Sequence, residues 1–295
     1  MVRICLNVLV GIPASGKTTY CQQVVALPDR KFRVVHVCYD SFIQIDVSYD
    51  KFRDEAGLYK TRRRTLLSHI EAIVIALQEN DSCKIEELLS DWKREFQQPL
   101  NIPRELESSD TVFLIDDNNY YRSMRIEWLK MARKYALGFF ETYFSIPLSL
   151  AEHRNRHRGS LINQDVINRM YTRLEKPCGK LYRWEQNFIS IVNTVDLDII
   201  VEKIHHCFDN PQHAVAAELK LGPMAQSKVH LLDNMLRKAV SSKVAESKDC
   251  GMSREELQCY ATMLQKRKKS ILEQIRSNGQ DVPDELLPKL VKELL

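Results

Sequence analysis

A chain of 295 residues that is 44% hydrophobic and 28% charged, with 9 Gly and 10 Pro, has an ordinary globular composition, which excludes collagenous, low-complexity and disordered classes. Its 43 Lys and Arg against 39 Asp and Glu leave a formal charge of +4, so any nucleic-acid surface must be local. No apolar run reaches the ~18 residues of a membrane span, no signal peptide or anchor is expected, and eight cysteines at 5, 21, 38, 83, 178, 207, 250 and 259 are scattered singly, as in a reducing, cytoplasmic setting.

The first predicted element is a strand over Ile4–Val10, apolar except for Asn7. It runs into Gly11-Ile12-Pro13-Ala14-Ser15-Gly16-Lys17-Thr18, a complete GxxxxGK[ST] phosphate loop, followed by a helix to about Val25. Such a loop needs glycines so that successive backbone N–H groups converge on phosphate oxygens at the amino end of a helix. Lys17 then places a charge between the β- and γ-phosphates of ATP, and the Thr18 hydroxyl completes the coordination of Mg²⁺.

A second β-rich run, Arg33 to Tyr39, is closed by Asp40. In a parallel sheet every strand's carboxyl end opens onto one crevice, so Asp40 is expected to face the γ-phosphate and orient an attacking hydroxyl; a plain helix cap is the alternative. Long helical patterns over 62–77 and 85–96 lead to a third strand ending in Asp116-Asp117, the arrangement of a second magnesium contact; position favours Asp116 as the metal-side carboxylate, with Asp117 adjacent, and the sequence does not say which of them makes the contact, directly or through water. Beyond a helix over 121–135 and a strand at 139–144, residues 154–183 carry eight Lys or Arg against two acids. Arg154 and Arg158, four apart on a predicted helix, share one face suited to a lid over a transferring phosphoryl group.

After a last strand near 188–192 the pattern changes. The breakers Asp209-Asn210-Pro211 and Leu221-Gly222-Pro223 precede a region without strand signals, and Leu232, Leu236, Val240 and Val244, then Leu257, Ala261, Leu264, Ile271 and Ile275, recur at helical spacing. Between 228 and 276 there are 11 Lys or Arg and 6 acids, densest at Lys266-Arg267-Lys268-Lys269, a patch read equally well as a solvated face or a phosphate-contacting one. The expected architecture is therefore α/β: a P-loop kinase domain over 1–208 on a mostly parallel doubly wound sheet, with a lid around 154–183, then an all-α domain over 209–295.

The loop Gly11–Thr18, Asp40, the string Leu114-Ile115-Asp116-Asp117-Asn118-Asn119-Tyr120-Tyr121-Arg122-Ser123-Met124-Arg125, the segment Ala132–Phe139 and Leu174-Glu175-Lys176-Pro177 together resemble the L-seryl-tRNA(Sec) kinases. That resemblance implies ATP and Mg²⁺ as cofactors and serine-charged selenocysteine tRNA as partner, phosphorylated on its seryl hydroxyl. Arg154 and Arg158 match the family's lid motif, and Asp40 its acid after the second strand. It also implies tRNA binding by the helical tail, and leaves a homodimer open. A P-loop ATPase associated with the Elongator tRNA-modifying complex and a small-metabolite kinase are the competing readings.

Overall fold

The computed structural model describes residues 2–28, 30–43, 58–103, 110–192, 194–213, 228–277 and 286–294. They fall into two units, Met1–Lys220 and Leu221–Leu295.

In the first unit, β1 (Ile4–Val10) is buried along its whole length because it is the central strand of a five-stranded sheet ordered β2-β3-β1-β4-β5. The other strands are β2 (Arg33–Cys38), β3 (Thr111–Asp116), β4 (Gly138–Phe144) and β5 (Phe188–Ile191), and every pairing is parallel. Parallel neighbours demand crossovers. These are α1 (Lys17–Val25) after β1; α2 (Tyr39–Phe42), α3 (Leu58–Glu79) and α4 (Ser82–Phe96) between β2 and β3; α5 (Arg122–Lys134) before β4; and α6 (Leu148–His157) and α7 (Gln164–Arg173) before β5. α8 (Leu197–Asp209) follows β5 and packs on β4 and β1.

Asn7, the polar break in β1, is fully buried and satisfied: its Nδ2 donates to Tyr20 Oη at 2.5 Å and its Oδ1 accepts from Thr142 Oγ1 at 2.8 Å. Around it Cys5, Leu9, Val24, Phe140 and Phe208 form part of one apolar cluster, so the Cys5 thiol is core, as its strand pattern predicted. Gln212 N still donates to Leu137 O at 2.8 Å, tying the chain to the sheet unit beyond the breaker at Asp209.

Gly138 opens β4 where α8 comes closest. A Cβ built there would lie 2.6 Å from the Cys207 carbonyl oxygen and 2.9 Å from its carbon, both backbone. Gly138→Ala is therefore expected to destabilise the sheet unit by roughly 1–3 kcal/mol, lowering its melting temperature by about 2–4 °C per kcal/mol in calorimetry; an unchanged melt would refute this contact.

The second unit is helical: α9 (Lys228–Asp249), α10 (Arg254–Ser277) and α11 (Leu287–Leu294). Leu232, Leu236 and Val240 meet Leu264, Ile271 and Leu287 in its core. Asp233, almost fully buried, accepts ion pairs from Arg237 one turn on and from Lys268 at 3.4 Å. The dense basic run is thereby divided, with Lys268 turned inward while Lys266, Arg267 and Lys269 stay exposed. Among the described residues no helix is long and apolar enough to cross a membrane.

Candidate active site

At the carboxyl end of β1 the chain turns through Gly11, where a Cβ would lie 2.8 Å from Ser15 Oγ and 3.1 Å from Phe144 Cβ. Ala14 (φ 62°) and Gly16 (φ 105°) take left-handed backbone, bending the loop until α1 starts at Lys17. The strain at Ala14 is of the kind stored at ligand-binding loops. Lys17 is buried, and its Nζ donates to Gly11 O (3.1 Å), Ile12 O (2.8 Å), Ser15 Oγ (3.3 Å) and Asn118 Oδ1 (2.9 Å). Burial lowers its pKa, while Asp116, Asp40 and Asp117 pull it back up. Thr18 follows in the first turn of α1, with its side chain exposed.

The four residues Asp116-Asp117-Asn118-Asn119 separate into four tasks. Asp116 ends β3 and accepts from His36 Nε2 of β2 at 2.9 Å. Asp117 is buried against Arg63 of α3, whose guanidinium also lies over the Tyr39 ring, 4.8 Å from its centroid. Asn118 holds Lys17 through its side chain and accepts from Gly11 N at 3.0 Å through its carbonyl; its Nδ2 points to Met170 Sδ on α7, 3.7 Å away. Asn119, in left-handed backbone (φ 40°), donates to Leu9 O at 2.9 Å. This string thus welds β3 to the phosphate loop. Arg63 is a site residue that the sequence did not single out: it is one of three consecutive arginines, and only the fold reveals which one turns inward to an acid 54 positions later.

Asp40 lies not at a strand end but in the short helical turn α2, because β2 stops at Cys38. Its side chain is exposed at the crevice mouth, yet the protein around it withdraws enough water to raise its pKa; Asp117 adds to the rise, and Lys17 and Arg158 oppose it. Across the crevice, Arg154 Nη1 donates to Ser15 O at 3.1 Å. Arg158 caps α6 rather than continuing it, with its Nε donating to Asn155 Oδ1 at 3.3 Å. α6 and α7 grip the loop through Ile12, which packs with Ala151, Val166, Ile167 and Met170.

Behind the loop, Arg125 is fully buried: it donates to Glu141 Oε1 (3.1 Å), to Asn119 O (3.0 Å) and to Glu185. Burial pushes the Glu141 carboxyl up to about 7, against the pull of Arg125. Glu185 also accepts from Arg122 Nε at 3.1 Å and Cys178 N at 2.9 Å, and Glu175 accepts from Arg122 N at 2.7 Å. The distinctive Tyr-Tyr-Arg-x-x-Arg stretch after Asn119 is therefore an anchor, with the Tyr120 and Tyr121 rings packed at a tilt, centroids 4.2 Å apart.

The family model described as "Chromatin associated protein KTI12" matches residues 4–278. The chain belongs to the KTI12 family. Among curated relatives it is similar to the L-seryl-tRNA(Sec) kinase of Mus musculus, 26% identical over 94% of this chain and 86% of that one, and to the L-seryl-tRNA(Sec) kinase of Homo sapiens, 26% identical over 82% and 78%. Among solved structures, Chaetomium thermophilum Kti12 in complex with ADP-AlF3 aligns at a TM-score of 0.44 and 20% identity, over 69% of this chain and 95% of that one. In this member of the KTI12 family, the fold brings Gly11–Thr18, Asp40, Asp116, Asp117, Arg154 and Arg158 to one crevice.

Proposed function

We propose that this chain is an ATP-dependent kinase that phosphorylates the seryl hydroxyl of Ser-tRNA(Sec), giving O-phosphoseryl-tRNA(Sec) for selenocysteine formation. The observation that carries the transfer chemistry is Asp40. Of the crevice acids, Asp116 is paired with His36 and Asp117 with Arg63, while Asp40 stands at the mouth within the fields of Lys17 and Arg158, its carboxylate made more basic than an ordinary aspartate. A stronger base at that position suits orientation and deprotonation of an incoming alcohol. The substrate follows from the names of the two mammalian relatives, aligned over most of this chain.

In this reading the loop Gly11–Thr18 cradles the β- and γ-phosphates with the backbone N–H groups of its second half, Ala14 to Thr18, and Lys17 exchanges its carbonyl partners for phosphate oxygens. Arg154 and Arg158, carried by the lid around 154–183, balance charge on the transferring phosphoryl group, and Asp40 takes the hydroxyl proton. Thr18, Asp116 and Asp117 would hold Mg²⁺, a hard-oxygen set that suits that ion, with His36 and Arg63 fixing the two carboxylates. Bound there, Mg²⁺ supplies neutralisation of phosphate charge. Positioning and electrostatics suffice, so no covalent enzyme intermediate forms. The helical unit is assigned to tRNA phosphates through exposed Lys266, Arg267 and Lys269, and the setting is cytoplasmic.

The family match favours a second reading, a tRNA-stimulated ATPase acting through a partner complex. A transfer assay with γ-labelled ATP, Mg²⁺ and seryl-tRNA(Sec), seryl-tRNA(Ser) or uncharged tRNA(Sec) separates the two. Label is expected as phosphoserine on the first RNA only, and to vanish in Lys17→Ala; free phosphate released without transfer would replace the kinase by the ATPase.

A further inference from the structure

Below the phosphate loop, three side chains from three elements converge. Cys21 lies on the buried face of α1, His36 on the edge strand β2 and Asp116 at the end of β3; the Cys21 Sγ, a ring nitrogen of His36 and a carboxylate oxygen of Asp116 all lie within 4.8 Å of one another. No other such trio of metal-ligating types occurs among the described residues. Cys21 is fully buried, Asp116 nearly so, and His36 keeps 23% of its side chain exposed, which leaves an approach from the sheet edge. Cys38, two residues after His36 and so on the same face of β2, is the register partner of Asp116. Burial, then the nearby Asp116, raises the pKa of both the Cys21 and the Cys38 thiol, so each is a thiol until a cation displaces its proton.

We propose that Cys21, His36 and Asp116 form a site for a soft divalent cation, zinc being the biological ion of that class, with Cys38 at hand as a fourth donor. One sulfur, one imidazole and one carboxylate is a zinc donor set; magnesium has no use for the thiol. Donors around a tetrahedral zinc ion stand roughly 3.3–3.8 Å apart, given its bond lengths of about 2.0–2.3 Å, so the trio closes on the ion by rotating side chains through roughly an ångström. Binding releases the Cys21 thiol proton to solvent, while the ring proton of His36 moves from Nε2 to Nδ1, so that Nε2 and the Asp116 carboxylate exchange their mutual hydrogen bond for the metal. Asp116 then serves the soft ion instead of magnesium, so zinc opposes Mg-nucleotide binding. That second half rests on the magnesium role proposed for Asp116; the site itself does not.

The test uses the full chain with Co²⁺ as a spectroscopic probe and Zn²⁺ competed against a chromophoric chelator. The expected result is one bound Co²⁺ with a thiolate charge-transfer band and tetrahedral visible bands, the charge-transfer band weakened in Cys21→Ser and lost in Cys21→Ser/Cys38→Ser. Zn²⁺ affinity is expected to fall at least ~10-fold in Cys21→Ser and in His36→Gln, since even outer-shell changes cost 10–100-fold. Cys21→Ala, checked by thermal melting, guards against a folding defect. The rival donors are His153 and His157, whose Nε2 atoms lie 3.0 Å apart on exposed α6, and His153→Ala/His157→Ala is expected to leave Zn²⁺ affinity unchanged. A cobalt complex without the thiolate band, wild-type affinity in Cys21→Ser, or loss of affinity in the histidine double variant would each overturn the site. Zinc is also expected to weaken MgADP binding; binding through Cys21 that leaves MgADP affinity unaltered overturns the antagonism alone. Failure of phosphoryl transfer to Ser-tRNA(Sec) would leave the cobalt spectrum untouched, so the two proposals fail separately.

Discussion

Asp40→Asn is expected to cut single-turnover phosphoryl transfer by roughly 10²- to 10⁴-fold while leaving ATP affinity nearly unchanged, because it removes a proton acceptor without touching Lys17 or the loop amides. The wild-type rate should fall on the acid side at a pH above the ordinary aspartate range, since the surrounding protein, then Asp117, holds the Asp40 pKa up. Only the ionised form accepts the proton, so activity is lost as pH drops through that raised value. Stability moves the other way. An acid whose pKa is higher folded than unfolded makes the fold less stable once pH exceeds both, so Asp40→Asn should melt higher than wild type at neutral pH. Full turnover in the Asn variant would remove Asp40 from the chemistry.

Arg125→Ala is expected to be highly damaging, costing about 3–5 kcal/mol because it strands the buried Glu141 carboxylate and takes one of two guanidinium partners from the buried Glu185, which keeps only Arg122 and Cys178 N. In a unit of this size that corresponds to a fall of ~10 °C in melting temperature. Arg125→Lys should recover only part of it, since an ammonium cannot span Glu141, Glu185 and the Asn119 carbonyl as the planar guanidinium does. The damage should reach the site as well, through Asn119 and then Asn118, which holds Lys17. A drop of under ~1 kcal/mol, read by calorimetry or denaturant melts, would mean that water replaces the guanidinium.

Much of this was legible because it is local. The phosphate loop is eight consecutive residues whose spacing is its mechanism, and β1 and β3 declare themselves as apolar runs closed by Gly11 and by Asp116. What escaped depends on partners distant in the chain. Arg63 looks like its neighbours Arg62 and Arg64 until α3 turns it toward Asp117. Arg125 sits in a helix whose pattern shows an ordinary polar face, and its acids lie 16 and 60 positions away. Lys268 appeared equivalent to three basic neighbours, but Asp233 draws it inward. The helix α11 carries Leu287, Leu290, Val291 and Leu294 at helical spacing, but Pro288 inside so short a run disguised it. Arg158 was placed on one helical face with Arg154; α6 ends one residue too soon for that, and the guanidinium acts on Lys17 and Asp40 from the cap.

The central position of β1 also dictates when the chain can fold. Ile4 pairs with Thr111 and Cys5 with Gly138, so the earliest strand of this sheet waits for more than a hundred further residues before either neighbour exists. Loop closure over such distances is slow, and until it happens seven successive residues destined for burial on both faces stay unsheltered. Chains halted between residues 10 and 138 should therefore aggregate and depend on holdase chaperones during synthesis, whereas those extended past Phe144 should become protease-resistant. On this view β1, the sheet's earliest strand in the chain, is secured only when β4 arrives, with β5 added at the edge afterwards, and nascent-chain proteolysis at successive lengths would reveal it.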